Sequence, residues 1–107
     1  MSDKIIVFVT CESKEQAETI AQTVVTERLA ACVNVLAGIR SCYVWERKLT
    51  WSDEVLLLIK TTRGRLTALR ARLRELHSYD LPELLVLSTE DASDDYLKWV
   101  VEQTRLH

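Results

Sequence analysis

Glycine and proline are almost missing from this chain of 107 residues, which holds two glycines, Gly38 and Gly64, and one proline, Pro82. That scarcity leaves no flexible linker and no low-complexity tract, so residues 1–107 read as one domain with a single core. The three cysteines, Cys11, Cys32 and Cys42, are odd in number and form no C-x-x-C pair. A disulfide framework and a redox or zinc motif of that type are thereby excluded, and each thiol is first of all a small buried hydrophobe. Long apolar runs are missing too. The first, residues 5–9, is too short for a signal peptide or a membrane span, and Met1-Ser2-Asp3-Lys4 before it has no basic cluster. The expectation is a cytoplasmic protein. An excess of positive charge is also lacking: 14 Lys and Arg stand against 16 Asp and Glu, a net −2. A generic nucleic-acid or membrane-surface binder would be basic.

What is present is regular patterning. Ile5-Ile6-Val7-Phe8-Val9 is a β-branched run that reads as a buried strand. Ser13 followed by Gln16 has the form of a capping box, and Ala17, Ile20, Ala21, Val24 and Val25 recur at helical spacing, so a helix is expected to about Leu29. Strand signals return at residues 32–36 and, after Gly38, at 39–45; residues 47–53 look like a hairpin connection and 55–59 like the returning strand. Leu66, Leu69, Leu73 and Leu76 mark a second amphipathic helix, residues 84–87 a fourth strand. Ser93 can cap a third helix whose first turn carries Asp94 and Asp95, with Leu97, Val100 and Val101 as its apolar stripe.

The order β-α-β-β-α-β with a C-terminal helix is the split-βαβ arrangement, an α+β ferredoxin-like antiparallel sheet with both crossover helices on one face. Strands solvated on their other face should alternate apolar and polar residues. Residues 5–9, 55–59 and 84–87 do not; they are apolar on both faces. The second face therefore calls for cover by the appended helix, by another subunit, or by both, because a bare apolar face is an aggregation patch. Trp45 and Trp51 are natural anchors for such a partner.

The densest cluster of chemistry is His77-Ser78-Tyr79-Asp80-Leu81-Pro82-Glu83. An imidazole and a carboxylate brought close by a turn suit a divalent transition metal. The plainer alternative is a helix-to-strand connection in which His77 closes a helix C-terminus and Pro82 stops it.

Three further stretches complete a pattern: Leu29-Ala30-Ala31-Cys32-Val33-Asn34, then Ser41-Cys42-Tyr43-Val44-Trp45-Glu46, then Glu54-Val55-Leu56-Leu57-Leu58-Ile59-Lys60-Thr61. With the His77 segment and Tyr96-Leu97-Lys98-Trp99, the sequence resembles the CutA divalent-cation tolerance family along nearly its whole length. The resemblance implies a homotrimer in which strands of neighbouring subunits extend each other's sheets, and a link to tolerance of copper and other divalent metals. The family's proposed copper ligands are a first-strand cysteine with the histidine and glutamate of the H-x-Y-x-x-P-E motif; the last two carry over to His77 and Glu83. The cysteine position is here Val9, and Cys11 lies two residues on, facing the same way if the strand continues, ~6.6 Å further along. Ser78 stands where the family usually has proline. The implied metal set is thus His77, Glu83 and Cys11, with copper as the expected ion.

Other classes find less support. The arginines at 63, 65, 70, 72 and 74 read as a solvated helix face rather than a nucleic-acid ridge, and the exposed aromatic motif of an RNA-recognition module is absent. A cysteine nucleophile, Cys11 with His77 as base, has no identifiable orienting group, so no enzyme is expected. The competing reading is a trimeric small-molecule or signalling module similar to the PII trimers, with Lys60, Glu46 and Tyr79 as polar groups of a cleft. His107, at the chain end, is given no role.

Overall fold

The computed structural model describes residues 3–78 and 83–105. The sequence expectations for Tyr79, Pro82 and His107 lie outside the described residues. Strand β1 (Lys4–Cys11) leads to helix α1 (Lys14–Thr26), strands β2 (Cys32–Trp45) and β3 (Lys48–Thr62), a short 3-10 turn (Arg63–Arg65), helix α2 (Leu66–Leu76), strand β4 (Leu84–Ser88) and helix α3 (Asp94–Gln103). The sheet order is β2-β3-β1-β4 with every neighbouring pair antiparallel. β1 and β2 therefore run the same way with β3 between them, and α1 makes the crossover.

The local signals act largely as expected. Ser13 Oγ accepts from Gln16 N–H at 3.1 Å, while the Gln16 side chain reaches back to Glu12 N–H at 3.4 Å, one residue before the usual reciprocal donor. Helix α1 buries Ala17, Ile20 and Val24. It stops at Thr26, short of Leu29, because Arg28 adopts φ 60 and the N–H groups of Leu29 and Ala30 both return to the Val24 carbonyl. This left-handed ending releases the chain into β2. Ser93 Oγ accepts from Tyr96 N–H at 3.4 Å and starts α3.

Pleating divides the sheet into two unlike faces. Ile5, Val7, Val9 and Cys11 lie opposite Thr61, Ile59, Leu57 and Val55, and all of these are buried. With Ile20, Val24, Leu69 and Leu73 they make one core cluster. Each such aliphatic side chain contributes roughly 1.5–3 kcal/mol by leaving water. The one hydroxyl in that row, on Thr61, donates to the Leu29 carbonyl at 2.7 Å, so its burial leaves no unmet bond. The second face carries Ile6, Phe8, Leu56 and Leu58 in the middle and Leu85 and Leu87 at the β4 edge. Helix α3 packs against β3, and Arg28 donates to the Gln103 carbonyl at 3.3 Å, but Leu85 and Leu87 stay 56% and 48% exposed.

The β2–β3 hairpin departs most from the sequence reading. Residues 47–53 are not a connection. The turn is Glu46-Arg47 alone, with φ 50 and 69, and pairing resumes at Trp45↔Lys48 and runs to Ile39↔Glu54. Two successive left-handed residues are what a two-residue turn matched to strand twist requires. Lys48, Thr50, Ser52 and Asp53 have loop-like chemistry, yet a two-stranded ribbon wet on both faces needs no apolar alternation. Between Leu36 and Ile39 the register shifts, and Gly38, at φ 81, absorbs the bulge. The ribbon stretches the molecule to 45 Å in its longest dimension.

Candidate functional site at the corner of the sheet

β1 ends at Cys11, opposite Val55, and β4 begins at Leu84, opposite Val9. Beyond that line the sheet narrows abruptly from four strands to two. The corner so formed holds an open cleft of about 850 Å³, between the hairpin, the end of β1 and the approach to β4. Strand alternation puts Ser41, Tyr43 and Trp45 of β2 on the same face as Ser52 and Glu54 of β3, and all five line the cleft. The Tyr43 hydroxyl and Ser52 Oγ lie 3.2 Å apart and share a hydrogen bond. Four carboxylates line it as well, those of Glu12, Asp53, Glu54 and Glu83, and no Lys, Arg or His does among the described residues. Thr10 and Glu54 are the buried polar members of this wall.

The three residues named as metal ligands from the sequence converge on this corner without sharing a point. Cys11 does face the way Val9 faces, but that is the helix-covered core: both are buried. Burial pushes the Cys11 thiol up to about 11, helped by the negative charges of Glu54 and Glu12. His77 closes the C-terminus of α2, its N–H bonded to the Leu73 carbonyl at 2.9 Å, which agrees with the plainer sequence reading. Its ring is also placed by β1: Nε2 lies 2.6 Å from the Thr10 carbonyl oxygen. A carbonyl oxygen only accepts, so this contact has Nε2 carrying the proton. Glu83 is exposed at the cleft wall. Among the described residues no group of three or more His, Cys, Asp and Glu side chains stands close enough to hold an ion. As a donor set for copper the corner fits in part: it offers an imidazole and carboxylates, but its sulfur keeps its proton in a dry core.

Lys60 and Glu46 do not meet within the chain. Lys60 pairs with Cys32 at the base of β3 and Glu46 sits at the hairpin tip, roughly 40 Å away at ~3.3 Å per residue. The sequence reading missed Thr10, Glu12, Tyr43 and Glu54 as cleft residues. A period-two signal for part of the wall was available in Ser41, Tyr43 and Trp45.

Fold and site together define a class: a small α+β protein whose four-stranded antiparallel sheet is helix-covered on one face, with a long two-stranded arm and an acidic, aromatic-edged corner cleft. The chain belongs to the CutA1 divalent ion tolerance protein family, whose pattern matches residues 5–103. It is 41% identical to the divalent-cation tolerance protein CutA of Thermus thermophilus over 99 residues, covering 92% of this chain and 96% of that one. The solved Thermus structure superposes with a TM-score of 0.92 at 40% identity, covering 95% of this chain and 99% of that one. CutA from Xylella fastidiosa gives a TM-score of 0.95 at 38% identity, with 97% and 100% covered. A chloroplastic CutA of Arabidopsis thaliana is 42% identical over 94% of this chain, which spans 56% of that longer protein. Among the described residues no helix is long and apolar enough to cross a membrane.

Proposed function

We propose that the chain is the ferredoxin-like protomer of a cytoplasmic homotrimer that takes part in tolerance of divalent metals, copper foremost, and catalyses no reaction. The observation that carries this reading is the family membership across residues 5–103. The strand order β2-β3-β1-β4 supports the ferredoxin-like assignment. Trimer formation is supported by apolar surface that the protomer leaves bare, Leu85 and Leu87 on β4 and Val44, Leu49 and Trp51 on the arm. Metal contact rests on His77 and Glu83, with Cys11 joining only where an ion displaces its proton. Equilibrium dialysis against copper, under reducing and oxidising conditions, tests the metal half. About one ion per chain, lost in His77→Ala, is the expected result; uptake indifferent to that substitution overturns it.

The corner cleft favours a second reading, a trimer that binds a small molecule. Its volume falls within the range of ligand pockets, and it presents aromatic and polar groups together. The two readings separate on one variant, since a cleft ligand should survive His77→Ala.

A further inference from the structure

We propose that the β2–β3 arm has two pairing registers one residue apart, and that the bulge at Ala37-Gly38 is the switch between them. The switch decides which side chains the arm presents, and it rests on neither the metal nor the cleft ligand.

The two halves of β2 are out of step. In the base, Cys32, Asn34 and Leu36 lie opposite Lys60, Leu58 and Leu56; in the arm, Ser41, Tyr43 and Trp45 lie opposite Ser52, Thr50 and Lys48. Even-numbered residues of β3 thus share a face with even-numbered residues of β2 in the base and with odd-numbered ones in the arm. Ala37 and Gly38 make the change, two residues set against Val55. The change falls where β1 ends, since Cys11 is the partner of Val55 on the other side. Up to that line β3 pairs along both edges; beyond it, among the described residues, it pairs with β2 alone.

Little in the arm resists a slip. Register is strongly specified where one face is buried, because a one-residue shift turns every side chain over. Here Tyr43 and Trp45 on one face and Val44, Leu49 and Trp51 on the other are all exposed, so neither face is tied to a core. The present register is held by Val44 against Leu49, the Tyr43–Ser52 hydrogen bond, and the Arg40–Asp53 pair with Arg40 over the Trp51 ring. Both partners of that ion pair are largely solvated, which leaves it weak. The same register sets Gly38, Glu46 and Arg47 at positive φ, and two of the three carry a Cβ.

In the second register Val44 lies opposite Lys48, and Trp45-Glu46-Arg47 form a three-residue turn that asks for one left-handed residue in place of two. The bulge is absorbed, Gly38 needs no positive φ, and Tyr43 replaces Val44 opposite Leu49. Arg40, Cys42 and Val44 come to the cleft side, while Ser41 and Tyr43 leave it. A surface or ligand that prefers one set of side chains selects one register.

The test uses Cys42, whose opposite residue is Trp51 in the present register and Thr50 in the other. Residues directly opposite stand close enough for a disulfide, whereas in the present register positions 42 and 50 point to opposite faces and cannot be joined. The whole protein carrying Trp51→Cys or Thr50→Cys is oxidised with diamide at high dilution, and the intrachain bond is located by gel mobility and peptide mapping. Trp51→Cys should close fast and Thr50→Cys more slowly. Gly38→Val, whose branched side chain disfavours a φ of 81, should speed closure in Thr50→Cys by about tenfold or more. Deleting Gly38 removes the extra residue, makes base and arm continuous in the present pairing, and should abolish closure in Thr50→Cys. The deletion keeps the test decisive where Gly38→Val fails to fold. No bond at position 50 with Gly38 present overturns the proposal. So does a bond that persists after the deletion, because fraying of the tip, and not a slip, would then bring the sulfurs together.

Discussion

Strand β3 passes through two different environments. Its second half, from Val55 to Thr62, lies in the four-stranded base, where Leu57, Ile59 and Thr61 are wholly buried. Its first half lies in the arm, where Leu49 and Trp51 are 71% and 55% exposed and their neighbour across the ribbon, Val44, is 67% exposed. Pairing with β2 runs along both halves, interrupted at the bulge between Leu36 and Ile39. What differs is the number of layers: α1 and α2 cover the base, whereas among the described residues the arm keeps Val44, Leu49 and Trp51 exposed. An isolated two-stranded ribbon is marginal in water, so the arm draws order from the strands it continues. Apolar content alone thus says little about burial here; position relative to the end of β1 decides it.

The largest expected effect lies in the base. Leu57→Ala, at a site with no exposure, should cost about 2–5 kcal/mol in urea unfolding, the transfer term plus an unfilled cavity. A loss below about 1 kcal/mol there would break the contrast between base and arm.

Cys11 sharpens the contrast through pH. It marks the edge of the base, and its thiol titrates near 11 rather than at its ordinary 9.0, first because it is buried. The folded state therefore holds this proton longer than the unfolded chain does. The resulting stability is whole below pH 9.0 and is lost as pH rises toward 11. It amounts to at most about 3 kcal/mol. Unfolding followed from pH 8 to 11 should steepen in the wild type and lose that component in Cys11→Ala. Parallel curves would show that the thiol has no such environment.

Ser13 starts the helix that makes the base what it is. Ser13→Ala removes the acceptor for Gln16 N–H and should cost about 1 kcal/mol, read from the shift in urea midpoint at constant slope. A neutral result would mean that water caps α1 equally well.

The base was legible in the sequence because its signals are local and strong. β-branched runs, leucines at helical spacing and serine caps each named an element within a few residues. The arm was less legible. Its strands are exposed on both faces, so Lys48, Thr50 and Ser52 need not alternate with apolar partners, and its turn uses Glu46 and Arg47 at positive φ in place of Asn-Gly. The cleft was least legible of all. Its walls meet only through register, Ile39 opposite Glu54 and Cys11 opposite Val55, and through the early end of β1. Such long-range pairing leaves no mark on neighbouring residues. The same limit applied to Cys11: strand parity correctly gave it the face of Val9, but which face the helices cover is a tertiary fact.

The smallest effect on the single chain is the most informative about the proposed trimer. Leu49 is 71% exposed beside Val44, so Leu49→Ala should shift unfolding of the dissociated chain by less than about 0.5 kcal/mol. If a neighbouring subunit covers the arm, the same substitution at high protein concentration costs far more, because dissociation and unfolding are then coupled. Light scattering across a dilution series should show Leu49→Ala dissociating at higher concentration than the wild type, with Leu57→Ala unfolding instead of dissociating. Equal dissociation of wild type and Leu49→Ala would move the interface away from the arm, onto Leu85 and Leu87 at the β4 edge, where an apolar surface remains to be covered.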